Sequence, residues 1–183
     1  MHVGGPCSPI VKVGDRVLRG QLIAEPSGLG ANIHASYTGE VTAVTETDIV
    51  IKADDKQNFD EYVKIPDTKT NLEAIAAAGV VGAGGAGFPT AVKLKTEIPQ
   101  GCFIANCAEC EPLLAHNIHQ IETDAAQLVR GVKYAMEITK APKGYIAIKP
   151  KHKKAVIELI KACRNEDNID VFRLPDMYPA GDE

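Results

Sequence analysis

Residues 144–174 read GYIAIKPKHKKAVIELIKACRNEDNIDVFRL, and they decide the fold. The run 144–149 is an apolar strand, 151–164 a helix, and 169–174 a second strand. Working outward, 102–105 is another apolar strand. It leads into a helix over 116–140 with Ile118, Ile121, Ala125, Leu128, Val132 and Ala135 at helical spacing. Strand, helix, strand, helix, strand at these intervals implies parallel βαβ units, whose ligands gather outside the carboxyl ends of the strands. Two polar, irregular segments fall at that edge: NCAECEP (106–112) after the first strand and PDMYPAGDE (175–183) after the third.

Upstream, Thr70 and Glu73 form a capping box that opens a short Ala-rich helix, which Gly79 can close. Next comes GVVGAGGAGFPT (79–90), followed by a second short helix over 91–95 that Pro89 suits near its first turn. The glycines of 82–87 permit positive φ and strip the loop of side chains, so a flat or anionic ligand can approach the backbone. A helix start beyond them would add unpaired N–H groups and a dipole favourable to phosphate. A P-loop is excluded, because GxxxxGK[ST] is absent and Lys93 comes too late. The dinucleotide fingerprint appears literally, as GAGGAG, yet a helix rather than a strand precedes it. Taken alone, such a loop also suits a purely structural turn.

Residues 1–53 read as an all-β unit of short strands around 11–13, 17–18, 21–24, 32–35, 40–44 and 49–51, divided by Gly-Asp, Pro-Ser-Gly and Thr-Gly turns. Residues 54–69 read as a polar linker and 70–183 as a second, α/β domain.

Bulk composition narrows the function classes. Of 183 residues, 45% are hydrophobic and 24% charged, as in an ordinary globular protein. The net charge of −4 removes a general basic footprint for nucleic acid. No apolar run approaches the ~20 residues of a membrane span, and no signal-peptide pattern opens the chain. Five cysteines are odd in number and too sparse for a disulfide framework, which suits a reducing, cytoplasmic setting. The chain ends inside YPAGDE, which reads as an interrupted segment.

VKVGDRVLRGQLIAE (11–25) with IHASYTGEVTAV (33–44) resembles a barrel-sandwich hybrid, the fold of biotinyl and lipoyl carriers. The turn corresponding to their modified lysine reads EPSGLGAN (25–32), without a lysine, so a swinging-arm role is not expected. GVVGAGGAGFPTAVKLK (79–95) followed by NCAECEP is similar to the flavin-binding region of two related families. These are the flavoprotein subunit of respiratory complex I and the C subunit of Rnf-type electron transport complexes. The N-terminal β unit resembles the domain that opens the Rnf C subunit and that the complex I flavoprotein lacks. GLGANIHAS (28–36) and LPDMYPAGDE (174–183) resemble a narrower branch, the electron transfer protein associated with proline reductase in anaerobic bacteria.

The resemblance implies an N-terminal barrel-sandwich hybrid followed by a Rossmann-like three-layer α/β domain, truncated here, that binds FMN and NADH. It implies that Gly82, Gly84, Gly85 and Gly87 line the flavin, that Phe88 stacks near the flavin or nicotinamide ring, and that Lys93 meets the ribityl-phosphate region. Asn106 would bond the isoalloxazine edge, and Glu109 and Glu111 would contact flavin and nucleotide. Gly181, Asp182 and Glu183 would begin a further contact segment. Ala108 stands where the complex I pattern has an aspartate, which favours the Rnf-like branch. No acid–base residue is needed for a hydride step and none is nominated. Iron–sulfur clusters are expected only in sequence beyond Glu183. The implied partners are NADH and redox proteins, either other Rnf subunits or a reductase such as proline reductase. Location is then cytoplasmic, with attachment to the inner face of a membrane through partner subunits rather than a span of its own. A rival reading is a non-enzymatic docking module that keeps the fold without flavin.

The cysteines allow other chemistry. Cys107, Cys110, His116 and His119 give C-x2-C-x5-H-x2-H, which offers zinc two thiolates and two imidazoles, though with a spacer far shorter than a finger's. Cys107 and Cys110 could instead form a dithiol after a strand, with Glu109 between them raising the thiol pKa. No metal is expected, because that spacer between cysteines and histidines is short and the last three-residue step, His116 to His119, falls on the predicted helix. Cys102 and Cys163 fit apolar core positions, and His34 a structural place in a strand.

Overall fold

The computed structural model describes residues 3–83, 86–109 and 113–177. The chain forms two compact units, Met1–Lys95 and Thr96–Glu183.

In the first unit six short strands build two antiparallel sheets. They are β1 (Cys7–Pro9), β2 (Arg16–Val17), β3 (Leu22–Pro26), β4 (Ile33–His34), β5 (Gly39–Val44) and β6 (Ile49–Ala53). One sheet runs β1-β3-β4 and the other β2-β5-β6. The buried side chains Val17, Ile23, Ala35 and Val41 form the core between them, as alternating inward residues of a small sandwich should. The expected strand at 11–13 is absent. Gly14 donates to the Val41 carbonyl at 2.8 Å and Asp15 to that of Lys12 at 3.1 Å, so this stretch turns instead. β1 begins earlier, pairing Cys7 with Pro26.

Residues 54–65 have no regular structure but are strapped to this sandwich. The Arg19 guanidinium lies 5.1 Å from the Phe59 ring centroid and donates to the Phe59 carbonyl at 2.7 Å, while Val63 N–H bonds the Arg19 carbonyl at 2.8 Å. Helix α1 (Asn71–Ala77) follows, opened by the Thr70–Glu73 capping box. Gly79, at φ 65°, ends it. A one-turn helix, α2 (Thr90–Lys93), comes after the glycine loop.

The second unit holds a parallel sheet in the order β7-β8-β9: β7 (Cys102–Asn106), β8 (Lys143–Ile148) and β9 (Ile169–Arg173). Helices α3 (His116–Thr139) and α4 (Lys153–Ala162) cross between strands, pack on each other, and share one core with Ile146, Ile148 and Ile169. Both helices thus cover the same sheet face, and the described residues of this unit form two layers. On the other face Ile104 is 58% and Phe172 53% exposed. α3 is broken at Asp124 (φ −148°), whose carboxylate accepts from Gln127 N–H at 3.0 Å and so caps the second half. Ile118, Ile121, Ala125, Val132 and Ala135 are buried as the spacing predicts, and Leu128 is half-buried beside them. Among the described residues no helix is long and apolar enough to cross a membrane.

Candidate functional site

The glycine loop, in the first unit, projects from a narrow β-like neck. Val81 and Pro89 form an antiparallel bridge, Gly82 N–H donates to the Phe88 carbonyl at 3.0 Å, and Thr90 N–H to that of Val80 at 3.0 Å. Gly87 is buried at φ 67°, a conformation that penalises any Cβ. Val3 N–H donates to the Ala86 carbonyl at 3.0 Å, tying the N-terminal segment to the loop. Gly84 and Gly85 lie outside the described residues.

Phe88 and Lys93 are brought together, with the Lys93 ammonium 5.7 Å from the ring centroid, a cation–π contact. Lys93 is the last residue of α2, whose four residues are too few for a dipole of consequence. Phosphate attraction by a helix start, expected from sequence, therefore does not operate here. Among the described residues, Lys93 is a cation placed beside the loop, over the Phe88 ring.

In the second unit Asn106 closes β7 at the carboxyl edge of the sheet. Its Oδ1 accepts from Ala108 N–H at 3.0 Å, folding the chain into an Asx turn. Cys107 N–H continues the ladder to the Ala147 carbonyl at 2.8 Å, and Glu109 N–H bonds the Cys107 carbonyl at 3.1 Å. The Glu109 carboxylate, half-buried, accepts from Asn117 Nδ2 of α3 at 3.3 Å. Asn106 and Glu109 are thus held in one turn, each by a specific partner. Cys110, Glu111, Gly181, Asp182 and Glu183 lie outside the described residues.

The Cys107 thiol packs against the helix–sheet core, and burial pushes its pKa up to about 11. The rise expected from a neighbouring carboxylate is therefore produced by desolvation instead. A thiol so protonated is a poor nucleophile and a poor metal ligand, and among the described residues no cluster could hold a metal ion. Cys163 is half-buried against the core, whereas Cys102, expected inside, is exposed at the start of β7, a border strand of this sheet. His34 sits in β4, and His116 and His119 lie exposed in the first turn of α3.

One group at this edge escaped the sequence reading. Lys149, directly after β8, is only 4% exposed. The signal was the KPKHKK run (149–154), which is easily taken for a solvated basic stretch.

Comparison with known proteins bears on both units. The family model of the Nuo51 FMN-binding domain matches residues 75–183, and that of the RnfC barrel sandwich hybrid domain matches residues 1–64. The C subunit of the Na(+)-translocating ferredoxin:NAD(+) oxidoreductase complex of Acetobacterium woodii is 37% identical over the whole chain, which covers 45% of that protein. The C subunit of the ion-translocating oxidoreductase complex of Pseudomonas aeruginosa is 33% identical, with 100% of this chain and 26% of that protein covered. A cobalamin reductase, PduS, of Salmonella typhimurium is 50% identical over 61% of the chain and 24% of its own length. The chain spans less than half the length of each of these relatives.

Proposed function

The chain belongs to the Rnf C-type family, and from that premise we propose that it forms the flavin- and nucleotide-binding part of an electron transfer subunit. In this reading the intact protein passes electrons from NADH through FMN to iron–sulfur clusters carried elsewhere in the subunit. Bound FMN would supply the exchange between two-electron hydride chemistry and single-electron transfer.

The chain's own residues hold and shield. Gly82, Gly84, Gly85 and Gly87 offer a side-chain-free backbone surface, Phe88 an aromatic face, and Lys93 a positive charge for the phosphate. Asn106, Glu109 and Glu111 supply polar contacts to the flavin edge and to ribose hydroxyls, and Gly181, Asp182 and Glu183 extend them. A flat ring with a phosphate would meet the half-buried Phe88 face and the Lys93 ammonium, which lies 5.7 Å from that ring's centroid. The observation that carries the reading is the FMN-binding-domain match over 75–183, which contains both the bridged glycine loop and the Asx turn at Asn106.

The finer parts of the proposal are a Rossmann-like three-layer arrangement and a domain plan of 1–53, 54–69 and 70–183. The exposed Ile104 and Phe172 suit a sheet face that a third layer would cover. Partners would be other Rnf subunits or, in the narrower branch, a proline reductase. The protein would work in the cytoplasm, at the membrane's inner face through those partners.

Anaerobic mixing of the FMN-loaded chain with NADH tests the reading. Bleaching of the flavin absorbance is expected. A chain that takes up FMN without bleaching would support a flavin module without the nucleotide site, and one that takes up none would favour the docking-module alternative.

A further inference from the structure

The glycine loop is tied at both ends to one turn of the β-sandwich. That turn, after β3, reads SGLGAN (27–32). Its last residue, Asn32, donates from Nδ2 to the Ala77 carbonyl at the end of α1 at 3.3 Å. Gly79 lies so close to the Asn32 carbonyl that a Cβ there would strike it. This link fixes the chain where it rises toward the loop. A second link comes from the N-terminal side. β1 pairs Cys7 with Pro26, so the residues before β1 run past the same turn. Gly5 N–H donates to the Leu29 carbonyl at 3.0 Å. Gly4, at φ 132°, comes so near that carbonyl that it leaves no room for a Cβ. Val3 N–H then donates to the carbonyls of both Ala86 and Gly87, at 3.0 and 3.3 Å, where the chain leaves the loop.

These contacts answer a specific need. Four of the six residues 82–87 are glycine, the residue type that loses most conformational freedom on ordering. The neck below them is closed by hydrogen bonds from Gly82 to Phe88 and from Thr90 to Val80, and a two-stranded hairpin so short is not stable by itself. An unbraced loop would be ordered at the expense of ligand affinity, whereas one held in place before binding would not. We propose that Val3, Gly4 and Asn32 are positioning residues, through which the N-terminal segment and the 27–32 turn preset the glycine loop for its ligand. That the ligand is a flavin rests on the reading above; the brace itself rests on these contacts.

Amide exchange and FMN titration on the full chain test the brace together. V3P deletes one N–H donor near the start of the chain, N32D keeps the side chain's size but loses the donor, and G4A forces a Cβ against Leu29. G5A is the control, because its Cβ would meet nothing within 4 Å and its φ is not positive. Without ligand, the Gly82 and Thr90 amides should exchange several-fold faster in V3P, N32D and G4A than in the parent, and at the parent's rate in G5A. FMN should bind the same three variants about three- to tenfold more weakly, at a temperature where circular dichroism shows them folded. A merely structural contact would lower the melting temperature and leave the affinity of the folded chain unchanged, and that result would overturn the proposal. So would parent-like exchange in V3P, which removes one hydrogen-bond donor and leaves the fold intact.

The two readouts keep this inference apart from the flavin reading. If the parent takes up no FMN but its amides respond as expected, the brace stands and the flavin reading falls. If FMN binds parent and V3P alike and exchange is unchanged, the flavin reading stands and the brace falls.

Discussion

Gly79→Ala should strike the junction between the sandwich and α1 harder than any other single methyl of comparable exposure. Gly79 sits at φ 65°, and a Cβ there would fall well inside van der Waals contact of the Asn32 backbone carbonyl. The left-handed conformation costs a residue with a Cβ roughly 1–2 kcal/mol. Pushing a backbone carbonyl aside adds about 1–3 kcal/mol, as overpacking does elsewhere. The sum is about 2–5 kcal/mol. At roughly 4–8 °C per kcal/mol for a unit of this size, the melting temperature should fall by at least about 8 °C. Gly28→Ala is the internal control, since nothing lies within 4 Å of its Cβ and its φ is not positive. There the change should stay within about 0.5 kcal/mol of the parent. Differential scanning calorimetry on both variants reads the comparison. Equal melting temperatures for Gly79→Ala and the parent would refute the close approach between the end of α1 and the 28–32 turn.

Other perturbations separate holding from contact. Asn106→Ala should lose the Asx turn at Ala108 and about 1 kcal/mol with it, whereas Asn106→Asp keeps the acceptor; flavin affinity should fall in both and thermal stability only in the first. Cys107 should react with iodoacetamide at pH 8 far more slowly than exposed Cys102, as peptide mapping would show. Burial holds the folded Cys107 thiol above its ordinary value, so the unfolded chain ionises first and stability falls as pH rises from the ordinary thiol range to about 11; Cys107→Ala should flatten that alkaline limb in urea titrations. Asp54 is held below the usual carboxylate range by its hydrogen bond to Arg16 at 2.6 Å. Its contribution is present above the unfolded value and lost as pH falls through the folded one, so Asp54→Asn should make the acid limb shallower, by a small amount for a solvent-screened pair.

Much of the fold was legible because the second unit's signals agree with one another. Apolar strands, helical spacing at Ile118, Ile121, Ala125, Val132 and Ala135, and connection lengths all specify parallel βαβ, and the three strands pair in parallel. The misses have local causes. Val11 and Val13 alternate like a strand, but Gly14 and Asp15 form turn bonds that win over two valines. The break at Asp124 came from a side chain able to cap a helix from within. Cys102 looked like core because it opens an apolar strand, yet β7 borders the sheet and that position faces solvent. The strap at 54–65 looked like a linker, since its anchors, Arg19 on Phe59 and Val63 on Arg19, pair residues about forty positions apart.

At the candidate site, residue types were readable and their supports were not. Asn106 and Glu109 were nominated as ligand contacts. That Ala108 and Asn117 hold them in place depends on how the turn meets α3. Lys149 hid in a basic run because burial of one lysine among several cannot be read from composition.

The most direct test of the central claim is titration of the full chain with FMN, following flavin fluorescence. The account predicts saturable quenching at one FMN per chain, weakened by Gly87→Val and by Asn106→Ala. Fluorescence that stays linear with added FMN, or quenching unchanged in both variants, would contradict it.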